Sequence, residues 1–385
     1  MKTKFKYTLA LVLSIFITYL FLSSIIKVYK LDSTDTFVIH PSSTSHLNLN
    51  NSKTKDIKIH IISVVDKQDL SNYDTALNTV QCYAMQRGYT YHLLNIKDYS
   101  SILAKCPYND FMFQRHCFLS YYLSLVYEDD YVIFIDTDLG IINPNKKFED
   151  YLPRGNEQFL FVQRMFNYEI MAGTFIFKNT NYSRNFLLSW ALYDYKKPDS
   201  FNGSDNVALH AVLMDLMPLN KQIKRPFCQA IWESSKNFGD CSKFVACMRY
   251  LFSDKDVNGS IFDKDLSFDD GKIVALSKHS KRRWMRDVWI TDSEFSMDDF
   301  MFHSMKEVSL HWNIVRVPHH FGDWINPINM KSFDILKCNT NNYYENWSYY
   351  FSYFKSAAFI ENKIKAYNKK IEEEYIIDLK TLKLI

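Results

Sequence analysis

The chain has 385 residues, enough for one large α/β domain or two small ones. Apolar residues make up 47% and charged residues 23%, a balance that buries a sizeable core and excludes wholesale disorder. Lys and Arg number 46 against 43 Asp and Glu, so the net charge of +3 excludes a bulk basic protein built to coat nucleic acid.

Between Lys6 and Lys27 run twenty uncharged residues, YTLALVLSIFITYLFLSSII. As a helix they would span roughly 30 Å, the thickness of a bilayer core. Lys2, Lys4 and Lys6 precede the run, and Lys27 and Lys30 follow it. The expected topology is a type II signal anchor: residues 1–6 a cytosolic tail, residues 7–26 the transmembrane helix, and the rest in the lumen of the Golgi or another secretory-pathway compartment. A cleaved signal peptide is the alternative, although its apolar core would be shorter and Leu22-Ser23-Ser24 is a poor cleavage site. Residues 27–55, dominated by Ser, Thr, Asn and Lys, predict a flexible stem. Seven cysteines fit an oxidising compartment. Cys228, Cys241 and Cys247 cluster where a disulfide is expected, and the odd count leaves a thiol over. Sequons at Asn50, Asn181, Asn202, Asn258 and Asn346 are about as frequent as chance provides, so they permit a lumenal location without arguing for it.

Order is expected to begin at IKIHIISVV, residues 57–65, a β-branched run that predicts a strand. Ala76, Leu77, Val80, Tyr83 and Ala84 recur at helical spacing, and Gly88 stops that helix. TYHLLNI reads as a second strand, and a helix carrying Arg115 is expected over about 113–126. YVIFID follows, a continuously apolar strand buried on both faces. Strand and helix in alternation predict an α/β fold with a mostly parallel sheet and helices on both faces. Such sheets bind ligands at the carboxyl ends of their strands. At that position stand Asp136-Thr137-Asp138 and then LGIINP. Two carboxylates one residue apart are hard oxygen ligands suited to Mn²⁺ or Mg²⁺. A divalent ion there can bridge the diphosphate of a nucleotide sugar and stabilise the departing charge. The other reading is a turn in which both Asp side chains cap backbone groups.

YVIFIDTDLGIINP resembles the Asp-x-Asp signature of GT-A glycosyltransferases, especially retaining families 8 and 34. The blocks FQRHC, IFIDTDLGIINP, RMFNYEIMAGTFIFKN, SFNGSDNVALHA and RDVWITDSEFSMDDFMFHSMKE resemble still more closely the nematode family called domain of unknown function 273. The resemblance implies a GT-A, Rossmann-like nucleotide-diphospho-sugar transferase fold over residues 56–330, with residues 331–385 as a helical C-terminal extension. It implies that Asp136 and Asp138 hold the metal. His303 is the implied third ligand and Lys306 the diphosphate contact, with His319 and His320 in VPHHFGDW as rival ligands. Arg115 is implied to hold the donor sugar, its alternative being a surface helix charge. Ala172 and Gly173 match the donor-binding Asn-Ala-Gly block, in which Met171 replaces Asn; Gly173 could equally be a bulge glycine. Asp205 and Asn206 match the Asp-Gln pair that faces the donor sugar at the catalytic centre, while a helix-capping role is the alternative for Asp205.

The function expected from this resemblance is a metal-dependent, retaining hexosyltransferase. It would move a sugar from a nucleotide-diphosphate donor to a glycan or glycoprotein hydroxyl, with Mn²⁺ (or Mg²⁺) as cofactor and no nucleic acid partner. A membrane-anchored glycan-binding pseudoenzyme is the alternative that Met171 favours. A haloacid dehalogenase type phosphatase also uses Asp-x-Asp, but needs Thr or Val where Gly140 stands.

Overall fold

The computed structural model describes residues 36–38, 58–201, 203–253, 261–310 and 323–385. A seven-stranded sheet has the order β3-β2-β4-β7-β6-β9-β8. Its strands are β2 (Ile59–Val65), β3 (Thr90–Asn95), β4 (Tyr131–Ile135), β6 (Phe159–Val162), β7 (Thr174–Lys178), β8 (Leu266–Phe268) and β9 (Ile273–Leu276). β2 pairs in parallel with β3 and β4, and β6 with β9; β7 and β8 run antiparallel to their neighbours. The expected mixed α/β fold with a mostly parallel sheet is therefore present.

Side chains alternate across a strand, so each strand feeds two cores. One face carries Ile62, Val64, Phe134, Phe159, Phe161, Phe175 and Phe177. It packs under helices α2 (Phe111–Tyr122), α3 (Asn181–Ala191), α4 (Ser204–Asp215) and α6 (Phe238–Phe252). The other face carries Ile59, Ile61, Ile133, Ile135, Leu160 and Val162 and packs against α1 (Asp74–Arg87). Much of the aromatic content is structural: Phe134 stacks on Phe175 at 4.6 Å, and Phe159 on Phe177 at 4.7 Å. α5 (Arg225–Glu233) joins α6 through the disulfide Cys228–Cys247, while Cys241 is a buried free thiol. Local chemistry fixes the helix starts. Asp110 accepts from Met112 N at 2.9 Å ahead of α2, and Thr180 caps α3.

A small sheet stands beside the large one, with the order β10 (Met285–Asp287), β11 (Met301–His303), β5 (Gly140–Ile141). It joins the segment just after β4 to residues about 160 positions further along the chain.

Described residues on either side of the expected domain 56–330 pack on it. Within the expected stem 27–55, β1 (Thr36–Val38) pairs antiparallel with β12 (Ser348–Tyr350), and Phe37 packs on Tyr349 and Phe354. The short β-branched and aromatic run Thr36-Phe37-Val38 has an apolar surface to cover, which its polar surroundings conceal. The expected helical extension 331–385 packs on the rest of the chain. Cys338 is bonded to Cys82 of α1, Trp347 and Tyr349 are fully buried, and α7 (Ala357–Thr381) inserts Ile371, Tyr375 and Leu379 into the core. Asn346 is 0% exposed and donates to Asp334 O, so this sequon is closed to modification in the folded chain. No described helix is long and apolar enough to cross a membrane; the apolar run 7–26 lies outside the described residues.

Candidate active site

β4 is too apolar to hold an unpaired carboxylate within its length, and its acids appear only where the strand ends. Asp136 N donates to Gly173 O at 2.8 Å, because β4 and β7 are in register with Ile135 opposite Thr174. A Cβ on Gly173 would lie 2.8 Å from Asp136 Oδ2, so glycine is what lets this carboxylate sit against the next strand. Asp136 keeps 23% of its side chain exposed. Burial pushes its pKa up to about 6; Arg115 pulls it down, and the Asp138 charge pushes it further up.

The small sheet delivers the other half of the site. Pairing of Gly140 with Phe302 and of Ile141 with Met301 brings His303 beside Asp138, and Met305 N donates to Asp138 O at 2.9 Å. His303 Nε2 lies 3.6 Å from Asp138 Oδ1, and Lys306 Nζ lies 3.3 Å from Asp138 Oδ2. The Asp138 charge raises the Lys306 amine above its ordinary range. β10 runs parallel to β11 with Asp287 opposite His303, and the His303 Nδ1 to Asp287 Oδ1 distance is 2.7 Å. Asp287 is buried, yet Arg164 and His303 outweigh the burial and hold its carboxyl well below the usual range. An ionised carboxylate only accepts, so His303 Nδ1–H donates to Asp287, and Nε2 is the ring nitrogen that faces Asp138.

On the opposite side, Arg115 is 3% exposed and is no surface charge. Its Nη1 donates to Asp136 Oδ1 at 2.5 Å and its Nη2 to Asp205 Oδ2 at 2.8 Å. Asp205 is 2% exposed and caps nothing, since Gly203 is the N-cap of α4 and makes no side-chain cap. Its carboxylate instead takes Arg115 and the ring of His116 at 2.9 Å. Burial opposes the charge on Asp205, but these two partners hold its pKa below the ordinary value. His116 stacks on Trp190 at 3.8 Å, and burial lowers its pKa to about 4, so the ring is neutral and donates from Nε2. Asn206 Oδ1 accepts from Ala172 N at 2.7 Å, and its Nδ2 donates to Glu169 Oε2 at 3.0 Å. Arg164 closes the circuit, reaching Asp287 at 3.0 Å and Glu169 at 3.4 Å. Met171, the departure from the Asn-Ala-Gly block, is buried in the core and brings no polar group.

Arg115, Asp136, Asp138, Ala172, Gly173, Asp205, Asn206, His303 and Lys306 thus converge on one end of the sheet. His319 and His320 lie outside the described residues. Sequence reasoning missed His116, Arg164, Glu169 and Asp287. All four sit inside the blocks FQRHC, RMFNYEIMAG and RDVW, but no local spacing announces a pair such as Arg164–Asp287.

Among the described residues, no three His, Cys, Asp or Glu already surround a common point as a metal-binding group. The donor chemistry nevertheless fits a hard divalent ion. The site gathers five carboxylates (Asp136, Asp138, Glu169, Asp205, Asp287) and three cations (Arg115, Arg164, Lys306), a surplus of two negative charges. Two adjacent ligands on an ion with bonds of about 2.1 Å lie roughly 3.0 Å apart, and opposed ones about 4.2 Å. The 3.6 Å between Asp138 and His303 falls between these limits.

Residues 80–317 match the model of a family described as "Protein of unknown function, DUF273". The chain belongs to this family. The matched span contains every residue of the site, from Arg115 to Lys306. No curated protein matches the chain. Among solved structures, it is similar to a glycosyltransferase involved in the glycosylation of the major capsid of PBCV-1, at 15% identity and a TM-score of 0.27, covering 35% of this chain and 66% of that one. It is also similar to the glycosyltransferase GlyE of Streptococcus pneumoniae TIGR4, at 12% identity and a TM-score of 0.28, covering 40% and 43%. At these TM-scores neither likeness bears on the activity.

Proposed function

We propose that this member of the DUF273 family is a metal-dependent glycosyltransferase that moves a sugar from a nucleotide diphosphate to a glycan or glycoprotein hydroxyl. The observation that carries the reading is the meeting of Asp136 and Asp138 with His303 and Lys306 at the carboxyl end of β4. Asp138 and His303 would hold Mn²⁺ or Mg²⁺, with Asp136 beside them. A bound divalent ion supplies charge to the diphosphate leaving group. Lys306, which is 41% exposed at its side chain, swings from Asp138 to a phosphate oxygen when a diphosphate arrives. Asp287 keeps the proton on His303 Nδ1 and so keeps Nε2 available. Arg115 and Asp205 form a rigid wall, and Asn206 with Glu169 offers polar atoms to the sugar. A retaining outcome belongs to the proposal through the resemblance to families 8 and 34. A type II anchor and a Golgi location complete it, supported by three disulfides of the kind that persist in oxidising compartments.

The test titrates Mn²⁺ and nucleoside diphosphates into the full-length protein and its Asp138→Asn variant, then screens nucleotide sugars for turnover. The variant is expected to lose on the order of 2.7–4 kcal/mol of transition-state stabilisation, a hundredfold or more in rate. Unchanged metal and diphosphate binding in the variant would overturn the metal-dependent reading. Tight binding by the wild type without turnover on any donor would favour the pseudoenzyme, for which the apolar Met171 is the supporting observation.

A further inference from the structure

A cavity of about 550 Å³ opens between the start of the small sheet, the 278–286 segment and the N-terminal half of α7. Six of its lining residues are Lys or Arg and three are Asp or Glu. That surplus of three positive charges equals the net charge of the entire chain. Two of the acids are taken: Asp299 by Arg286 at 2.5 and 3.0 Å, and Glu361 by Lys365 at 2.7 Å.

The floor is the unusual part. Lys278 is 1% exposed and, among the described residues, its amine donates to neutral carbonyls, Asn167 O at 2.8 Å and Met165 O at 3.3 Å. Arg283 likewise donates to Gln163 O at 2.6 Å, Met285 O at 3.2 Å and Ser277 O at 3.4 Å, and its Nε is buried without a partner. Arg283 is half-buried, and behind it lies the buried Arg249, bonded to Gln163 Oε1 at 2.8 Å and Tyr168 O at 3.3 Å. Lys278 and Arg249 both sit over the ring of Phe262, at 4.1 and 5.4 Å. Among the described residues none of the three cations has a carboxylate within ion-pair distance. Burial and the neighbouring Arg249 and Arg283 push the Lys278 amine far down; Asp287 and Glu372 only partly offset this, and Asp287 is already bonded to Arg164 and His303. Buried cations held by neutral acceptors beside an open cavity are an expense that a bound anion would relieve.

We propose that this cavity is a second binding site, taking a tetrahedral oxyanion carried as a phosphate or sulfate ester on a sugar-sized molecule. Lys278 and Arg283 hold the oxyanion at the floor, and Lys146 and Lys281 attract it at the mouth. Met285 and Met301 line the cavity two residues before Asp287 and His303 on their paired strands. At roughly 3.3 Å per residue, the second site lies about 7 Å along the strands from the candidate active site. The proposal goes beyond the transferase reading and stands without it.

The test measures melting temperature and calorimetric binding of the full-length protein with inorganic sulfate, inorganic phosphate, a sulfated disaccharide and its desulfated counterpart, against sodium chloride at equal ionic strength. The sulfated disaccharide is expected to raise the melting temperature by several degrees and to bind at least about tenfold tighter than the desulfated one. Lys278→Met should abolish the shift. Should that buried variant fail to fold, the pair Lys146→Ala and Lys281→Ala, which changes only residues at the mouth, should weaken binding several-fold. Equal binding of sulfated and desulfated sugars would overturn the proposal. So would binding of inorganic ions with no gain from the attached sugar, or unaltered sulfated-disaccharide binding in the mouth variant.

Discussion

Arg115 is the residue on which the geometry of the candidate site most depends, and Arg115→Met tests that dependence. The substitution keeps a long apolar stem and removes the guanidinium that joins Asp136 to Asp205. The two arms differ in worth. Asp136 is 23% exposed and can recover water, so its loss costs about 1 kcal/mol or less. Asp205 is buried and keeps only the neutral His116 as a charge-supporting partner, so its arm should cost about 3–5 kcal/mol. The sign of the pH dependence follows. In the wild type, Asp205 titrates below its unfolded value, so its stabilisation is present above that value and is lost in acid. In the variant, burial acts without Arg115 and lifts the folded value above the unfolded one, which penalises folding as the pH rises toward neutrality. The deficit should therefore be largest near pH 7 and shrink toward pH 4. Urea unfolding across that range measures it. Adding Asp205→Asn to Arg115→Met should restore about 2 kcal/mol or more at pH 7, because it deletes the stranded charge. A deficit below about 1 kcal/mol at pH 7, or one independent of pH, would refute the reasoning.

Gly173→Ala places a Cβ 2.8 Å from an Asp136 carboxylate that Arg115 prevents from retreating. It should cost about 1–3 kcal/mol and weaken Mn²⁺ and diphosphate binding together; an unchanged melting temperature with unchanged binding would contradict the close approach. His116 has an ordinary value of 6.5 that burial lowers to about 4 in the fold. The unfolded chain therefore binds more protons between those values, and stability should fall by up to about 3 kcal/mol as the pH drops from 6.5 to 4. His116→Gln should flatten that slope, and urea unfolding at pH 7 and pH 5 compares the two proteins.

Much of the fold was legible locally. The β-branched run at 59–65, the apolar run at 131–135 and the helical spacing ahead of Gly88 all form the elements that their periodicity predicts, because each depends on residues a few positions apart. The position of the Asp136–Asp138 pair followed from strand chemistry alone: an uninterrupted apolar strand is buried, and its first charges must mark its exit.

What the sequence could not decide was which distant groups neutralise those acids. Arg115 looked as much like a surface charge as a buried one, since helix periodicity does not say which neighbours cover a face. Only the packing of α2 against α4 puts it between Asp136 and Asp205. The choice of His303 as the imidazole beside Asp138 rests on the pairing of a two-residue strand, Gly140–Ile141, with Met301–His303. Strands that short carry no periodic signal, and their register is fixed only when the surrounding core closes. Asp287, Arg164 and the Lys278–Arg249–Arg283 group were invisible for the same reason. Charges separated by dozens of residues acquire meaning through burial, and burial belongs to the folded chain rather than to any window of its sequence.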